Sequence, residues 1–456
     1  MSNNLEKGLA YGRAANDAPL VAIACGGTGG HLFPGLAVGE QLLERGCAVT
    51  LLVSPKEIDQ QALKRVSGME IVTLPAVGLQ RGGEIAFLRG FSRSYRAARS
   101  LFKSRYPQAA LAMGGFTSAP PVLAAKMCGA PTFLHESNSV PGRANRWLSW
   151  VVNRAFIGFP TAADRLKNRN VTATGTPVRP QFHPRDAGAC RRALGLAPGR
   201  SVLVVMGGSQ GASGINELVI EALPLLAKLA PEVQWFHLTG PNDEQKVAQA
   251  YAKFNLSAVV HPFFDEMELV LGAATAAISR AGASSLAELA AMRLPAVLLP
   301  YPAATDNHQF HNARAFAETG AARLLEQHKA TPEALAREVL ELIANPAARQ
   351  KMQQALGTWS APRAAQEIAD NILAEVAFNR MRPSSGAASF RNGSGMLPAA
   401  AQEAHLLDTA TVGQTSGLPV GACSARPANC ETRGFATGRP EVCPTVAVPA
   451  HNFKIS

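Results

Sequence analysis

Short apolar runs of strand length alternate along this chain with longer segments whose apolar residues recur at helical spacing. The strand-sized runs are Leu20 to Cys25, Ala48 to Val53, Ile71 to Leu74, Ala110 to Met113, Thr132 to Leu134 and Arg154 to Gly158. Alternation of this kind predicts a mostly parallel sheet covered by helices on both faces. The pattern then restarts at Ser201 to Met206 and continues through Val233 to Leu238, Ala258 to His261, Ala276 to Ser279 and Ala296 to Leu299. Both starts have the same form: an apolar strand, a glycine-rich loop (GGTGGH at 26–31, GGSQG at 207–211), then a helix.

A restart of this kind predicts an α/β chain of two Rossmann-like, doubly wound domains facing a cleft, with ligands beyond the carboxyl ends of the strands. The expected boundaries are a flexible N-terminus over 1–18, a first domain over 19–180, a Pro-, Gly- and Arg-rich linker over 181–199, a second domain over 200–360 and a terminal helix over 361–378. Beyond it, 379–456 carries no helical or strand period and reads as a low-complexity, disordered tail holding Cys423, Cys430 and Cys443.

With 456 residues there is ample apolar surface for two cores, so stability does not depend on disulfides or metal. The 7 cysteines show no repeated C-x-x-C pair and no zinc-finger histidine spacing, which argues against a structural zinc site. A formal charge of +11 favours polyanionic partners such as anionic lipid, phosphate-bearing substrates or nucleic acid. Nucleic acid is disfavoured, because no dense Lys/Arg run or recognition motif accompanies the charge. No apolar run approaches the length of a membrane span, and the first twenty residues lack the form of a secretory signal, so a cytoplasmic location is expected.

The first glycine loop, Gly26 to Gly30, can bare backbone N–H groups to phosphate at a helix N-terminus. It matches neither the dinucleotide fingerprint nor the P-loop. His31 follows it directly and is placed either to accept a substrate proton or merely to cap the helix. Ser209 lies in the second loop. Ser285 and Glu288 have the spacing of a capping box, which accounts for the pair; a carboxylate at 288 is equally placed to grip two ribose hydroxyls. Met113 to Ser118, His135 to Asn138, Gly175 to Arg179 and Tyr301 to Gln309 each follow a strand, and Arg179 can bind phosphate bidentately or form a surface ion pair. Finally, Arg81 to Arg105 interleaves basic residues with Ile85, Phe87, Leu88 and Phe91, a pattern suited to an anionic lipid surface or to a solvated helix with a core face.

Seven segments, GGTGGHLFPGLAVGEQL, MGGFTSAPPVLAA, HESNSVPGRANRWL, GTPVR, GGSQGASGIN, SRAGASSLAELA and PYPAATDNHQFHNA, together resemble the MurG family of glycosyltransferases in content, order and spacing. The resemblance runs from about Leu20 to about Glu375. It implies the GT-B fold and inverting transfer of GlcNAc from UDP-GlcNAc to the C4 hydroxyl of MurNAc in undecaprenyl-pyrophosphoryl-MurNAc-pentapeptide (lipid I), giving lipid II.

By the same resemblance, Thr28, Gly29, Gly30, Asn138, Arg179, Ser209, the backbone near Phe264, the run Ala283, Ser284, Ser285, Leu286, Ala287 and Glu288, and Gln309 would bind UDP-GlcNAc. Glu288 would take the ribose and Gln309 the sugar. His31 or Glu136 would be the base. The chain has no Asp-x-Asp pair, so no metal and no other cofactor are expected. The basic stretch with Ile85, Phe87, Leu88 and Phe91 would meet the cytoplasmic face of the inner membrane, giving a peripheral enzyme of cell-wall synthesis that associates with other synthesis and division proteins. Another UDP-GlcNAc enzyme of the same fold, an epimerase or a different lipid-directed glycosyltransferase, is the alternative.

Overall fold

The computed structural model describes residues 18–26, 29–55, 66–75, 83–208 and 211–381. Thr28, Ser209, Arg81, the first seventeen residues and the segment from 382 onward, with its three cysteines, lie outside them.

The first domain opens with β1 (Leu20–Ala24), α1 (Gly29–Glu44), β2 (Ala48–Val53) and β3 (Glu70–Thr73). It continues through α2 (Glu84–Ser104), β4 (Ala109–Ala112), α3 (Ala119–Met127), β5 (Thr132–Glu136), α4 (Arg143–Leu148), β6 (Arg154–Ile157) and β7 (Val171–Ala173). All seven strands are parallel in the order β3-β2-β1-β4-β5-β6-β7. The chain therefore changes direction between β1 and β4, where a doubly wound sheet opens its crevice. The first glycine loop and Gly114-Gly115 follow these two strands.

After α5 (Ala187–Ala193), capped by Asp186 Oδ1 accepting from the Ala189 N–H, the second domain begins. Its elements are β8 (Val202–Met206), α6 (Ser213–Leu229), β9 (Gln234–Leu238), α7 (Glu244–Lys253), β10 (Ala258–His261), α8 (Met267–Ala273), β11 (Ala276–Ser279), α9 (Ala283–Met292), β12 (Ala296–Leu298), α10 (His308–Glu318), β13 (Arg323–Leu324), α11 (Pro332–Ala344) and α12 (Pro346–Trp359). The order β10-β9-β8-β11-β12-β13 is again wholly parallel. Its switch point, between β8 and β11, carries the second glycine loop and the Arg280–Gly282 turn.

The last described helix, α13 (Ala364–Met381), does not stay with the second domain. Its Ile368, Ile372 and Val376 join Leu36, Val38 and Leu42 of α1 in the first domain's core, on the sheet face opposite α2, α3 and α4. Arg45 pairs with Asp370 at 2.8 Å, and Arg154 donates to Asn371. Truncating a buried Ile here costs about 2–5 kcal/mol. The chain thus passes between domains twice, and the passages touch: a Cβ on Gly175, whose φ is +79°, would meet the Cβ of Ala361. α13 ends at Met381, three residues beyond the boundary expected from the sequence.

β7 and β13 are not among the strands that the sequence predicts. Each is an edge strand of at most 3 residues with partly exposed side chains, so no apolar run marks it.

Candidate functional site

The helix after the first glycine loop begins at Gly29, so His31 stands in the first turn of α1. Two glycines enclose its ring. A Cβ on Gly114 would lie 2.8 Å from His31 Cε1, and one on Gly115 would lie 2.6 Å from the Gly26 carbonyl; their φ values are +107° and +78°. Any larger residue there would push the imidazole off the β1/β4 crevice.

β5 runs further than its apolar residues suggest, to His135 and Glu136, both buried. His135 Nε2 faces the Gly175 carbonyl at 3.1 Å and so carries the proton; Nδ1 then accepts from Ser137 Oγ at 3.2 Å. Burial lowers its pKa to about 4, with the Gly175 bond opposing and His31 reinforcing the shift. The ring is therefore neutral at pH 7.

Glu136, a candidate base from sequence, has other work. Its Oε1 accepts from the Asn138 N–H (2.8 Å) and Nδ2 (3.1 Å), and its Oε2 from the Gly142 N–H (3.0 Å) and Asn145 Nδ2 (2.9 Å). Four donors occupy both oxygens, so the carboxylate fastens the 138–145 loop rather than facing a substrate proton.

In the second domain the expected capping box does not form. The N-cap of α9 is Gly282, with φ −65° and ψ 138° and no side-chain cap, which puts Ser285 inside the helix and Glu288 in its second turn. Glu288 is thereby left for another role. Desolvation raises its pKa to about 7, Arg179 opposing and Glu268 adding to the shift. Arg179 stands between the rings of Phe33 (4.9 Å) and Phe182 (5.1 Å), and its Nε is buried with no hydrogen-bond partner among the described residues. Gln309 accepts the Tyr301 N–H at 3.0 Å through Oε1, which leaves its Nε2 donors for a ligand. Phe264 packs edge-on against Phe236 at 5.3 Å.

Beneath the second loop runs a buried network that sequence reading missed. Asn216 Nδ2 donates to the Thr239 carbonyl (2.9 Å) and to Asp243 (2.8 Å), while its Oδ1 accepts from His237 Nε2 at 2.9 Å. His237 Nδ1 must then accept from Tyr251, whose hydroxyl lies 3.0 Å away. Desolvation lowers the His237 pKa to about 3. A Cβ on Gly211 would sit 2.5 Å from the Thr239 carbonyl, so this network is the floor on which the loop rests.

Among the described residues, polar contacts at three places join the two crevices. Ser284 Oγ donates to the Gly30 carbonyl at 3.0 Å. That carbonyl is available because its helical partner would be the N–H of residue 34, and residue 34 is proline. Asn312, fully buried, accepts from the Ser139 N–H and Oγ (both 2.9 Å) and donates to Asn138 Oδ1 (3.0 Å) and the Ala281 carbonyl (3.2 Å). Arg146 pairs with Asp306 at 2.7 Å. Asn312 and Pro34 carry no glycine-loop or histidine signature; the sequence signal for Asn312 is a polar residue among the apolar positions of a helix.

The four apolar residues expected to meet lipid divide. Ile85 and Leu88 are 68% and 64% exposed on α2. Phe87 and Phe91, 6.2 Å apart, turn toward Phe116 and Pro120 and close a crevice of about 10 Å³ against α3. Arg89, Arg93, Arg96, Arg99 and Lys103 ring the exposed side. No described helix is long and apolar enough to cross a membrane.

Residues 21–157 match the glycosyltransferase family 28 N-terminal domain, and 202–370 the family 28 C-terminal domain. The UDP-N-acetylglucosamine--N-acetylmuramyl-(pentapeptide) pyrophosphoryl-undecaprenol N-acetylglucosamine transferase of Anaeromyxobacter sp. (strain K) is 36% identical over 362 residues, 76% of this chain and 91% of that protein. The crystal structure of Acinetobacter baumannii MurG superposes with a TM-score of 0.61 at 29% identity, covering 78% of this chain and all of that one. A UDP-N-acetylglucosamine 2-epimerase structure reaches a TM-score of 0.58 at 12% identity over 81% of this chain and all of that one, a likeness of fold alone. The chain belongs to glycosyltransferase family 28 and, within it, to the MurG group of N-acetylglucosamine transferases.

Proposed function

We propose that this enzyme moves GlcNAc from UDP-GlcNAc to the C4 hydroxyl of the MurNAc unit of lipid I, working on the cytoplasmic face of the membrane that holds the acceptor. One observation carries the reading: two switch-point crevices, each lined by a glycine loop and a helix N-terminus, are held mouth to mouth by Ser284–Gly30 and by Asn312 with Asn138 and Ser139. The donor lies against the second domain, its ribose on Glu288 and its sugar on Gln309, with Thr28, Gly29, Gly30, Asn138, Arg179, Ser209, the Phe264 backbone and the 283–288 run around it.

His31 takes the acceptor proton as the C4 oxygen attacks the anomeric carbon from the face opposite UDP. The bond from that carbon to the phosphate oxygen breaks, UDP departs with the electron pair, and the configuration inverts. Charge growing on the diphosphate is met by Arg179 and by the α1 and α9 N-termini, so no metal is required for the step. Ile85 and Leu88 dip into the lipid surface while the basic side chains around them meet anionic headgroups.

The test is transfer of labelled GlcNAc from UDP-GlcNAc to a short-chain lipid I analogue, with and without EDTA. Acceptor-dependent transfer that survives EDTA is expected, and His31→Ala lowers turnover by about 10²–10⁴-fold. UDP-GlcNAc consumed or epimerised without acceptor would refute the reading, and loss with EDTA would refute the metal-free step.

A further inference from the structure

Arg280 sits between the end of β11 and the start of α9, and only 6% of it reaches solvent. Its Nη1 donates to the carbonyls of Leu299 (2.9 Å) and Pro300 (3.2 Å), and the Tyr301 ring lies 5.5 Å from its Cζ. No ion pair among the described residues includes it, and Tyr301 is the one titratable neighbour that perturbs it. Desolvation lowers its pKa to about 10, which leaves it cationic at neutral pH.

A buried guanidinium without a carboxylate is a costly arrangement. Carbonyl dipoles offset part of the desolvation, but among the described residues no carboxylate pairs with the charge. Buried charges in folded proteins are ordinarily paired. Two residues further on, the N-terminus of α9 begins at Gly282 without a side-chain cap, so a second source of positive potential lies beside the first. Ala281, between them, is tied by its carbonyl to Asn312, which keeps this turn at the mouth of the cleft. An anion belongs here, and the arrangement suits a diphosphate better than a carboxylate, because a fixed charge and a helix end can each face one phosphate group.

We propose that Arg280 supplies the buried counter-charge for the diphosphate of the nucleotide donor, acting on UDP-GlcNAc and on departing UDP while leaving the uridine contacts untouched. The inference rests on the donor site proposed above and adds to it a residue that neither composition nor glycine spacing marks. Its clamp on Leu299 and Pro300 is the competing explanation: in that case Arg280 only shapes the 299–301 turn.

Isothermal titration of the full chain with UDP, UMP and uridine, for wild type, Arg280→Lys and Arg280→Met, separates the two. Arg280→Met is expected to weaken UDP binding about 10–100-fold, UMP less and uridine less than about threefold, while Arg280→Lys keeps UDP within about fivefold of wild type. The UDP deficit of Arg280→Met should also shrink as salt rises. Equal losses for UDP and uridine, or a folded Arg280→Lys as weak as Arg280→Met, would assign the residue to the turn and overturn the proposal. If Arg280→Met does not fold, the lysine variant alone decides, through its UDP-to-uridine affinity ratio. Wild type that binds neither UDP nor uridine would instead refute the donor site.

Discussion

Glu136→Gln separates a fastening carboxylate from a catalytic one. In the wild type, four N–H donors converge on two carboxylate oxygens, from Asn138 twice, Gly142 and Asn145. A glutamine has one acceptor oxygen; its amide nitrogen would face two donors with donors of its own. Two charge-assisted bonds are lost in a buried site, each worth about 1.5–3 kcal/mol, for a total near 3–6 kcal/mol. In a domain of this size that lowers the melting temperature by roughly 6–24 °C. Differential scanning calorimetry should place the loss in the transition of the first domain, and the donor KM should rise with it, because Asn138 is freed from Glu136 and pulls on Asn312. Glu136→Gln melting within about 2 °C of wild type while kcat alone falls a thousandfold would refute this reasoning and return Glu136 to the role of base.

Other expectations follow from the same contacts. Folded Glu288 keeps its proton up to about pH 7, whereas an unfolded glutamate releases it near 4.5, so its contribution to stability is complete below 4.5 and lost as pH rises through 7. On the proposed ribose contact, where the carboxylate accepts from both hydroxyls, UDP affinity should climb from pH 6 to 8, and a Glu288→Gln variant with the same slope would contradict the assignment. His135 and His237 carry the opposite sign: their folded pKa values lie near 4 and 3 against 6.5, so the stability they give is full above 6.5 and drains as pH falls below it. His237→Gln should flatten the acid limb of the stability curve measured by urea titration, and an unchanged limb would count against the neutral network. Ile85→Ser with Leu88→Ser should cut binding to anionic vesicles about 10–100-fold at unchanged turnover of a soluble acceptor, whereas Phe91→Ser should lower the melting temperature; the reverse would mean that the other face meets lipid. Pro34→Ala restores an N–H that competes for the Gly30 carbonyl, so a double-mutant cycle on donor affinity with Ser284→Ala should show coupling of about 0.5–1.5 kcal/mol, and additive effects would remove the link.

What could be read in the sequence and what could not follow from where the signal is stored. Interior strands such as Val202–Met206 bury every side chain and announce themselves as apolar runs. The strand ending at Glu136 was cut short in reading because its last two residues are polar, and their burial is explained only by partners 2 to 40 positions away, at Ser137, Gly142, Asn145 and Gly175. Glycine loops mark both crevices because phosphate-friendly backbone needs missing side chains. The contacts that hold the crevices together, Asn312 to Ser139 and Ser284 to Gly30, span 173 and 254 positions and leave no local pattern. The Ser285–Glu288 spacing misled for a related reason: a capping box is defined by where the helix starts, and the start was set three residues earlier by Gly282.

The return of α13 to the first domain has a consequence for how the protein comes into being. Ribosomes deliver chain in one direction, and the first domain's sheet is complete at β7, some two hundred residues before Ile368, Ile372 and Val376 emerge. Throughout that interval the outer flank of α1 has no cover, so the nascent first domain carries an open apolar groove while the second domain is still being made. Only the final helix seals it. A chain stopped near residue 360 would hold both glycine loops and every residue of the proposed site, yet would expose that groove permanently. Synthesis of the 18 residues of α13 therefore acts as a check that both domains have been made, since only a chain extended through Met381 closes its oldest half.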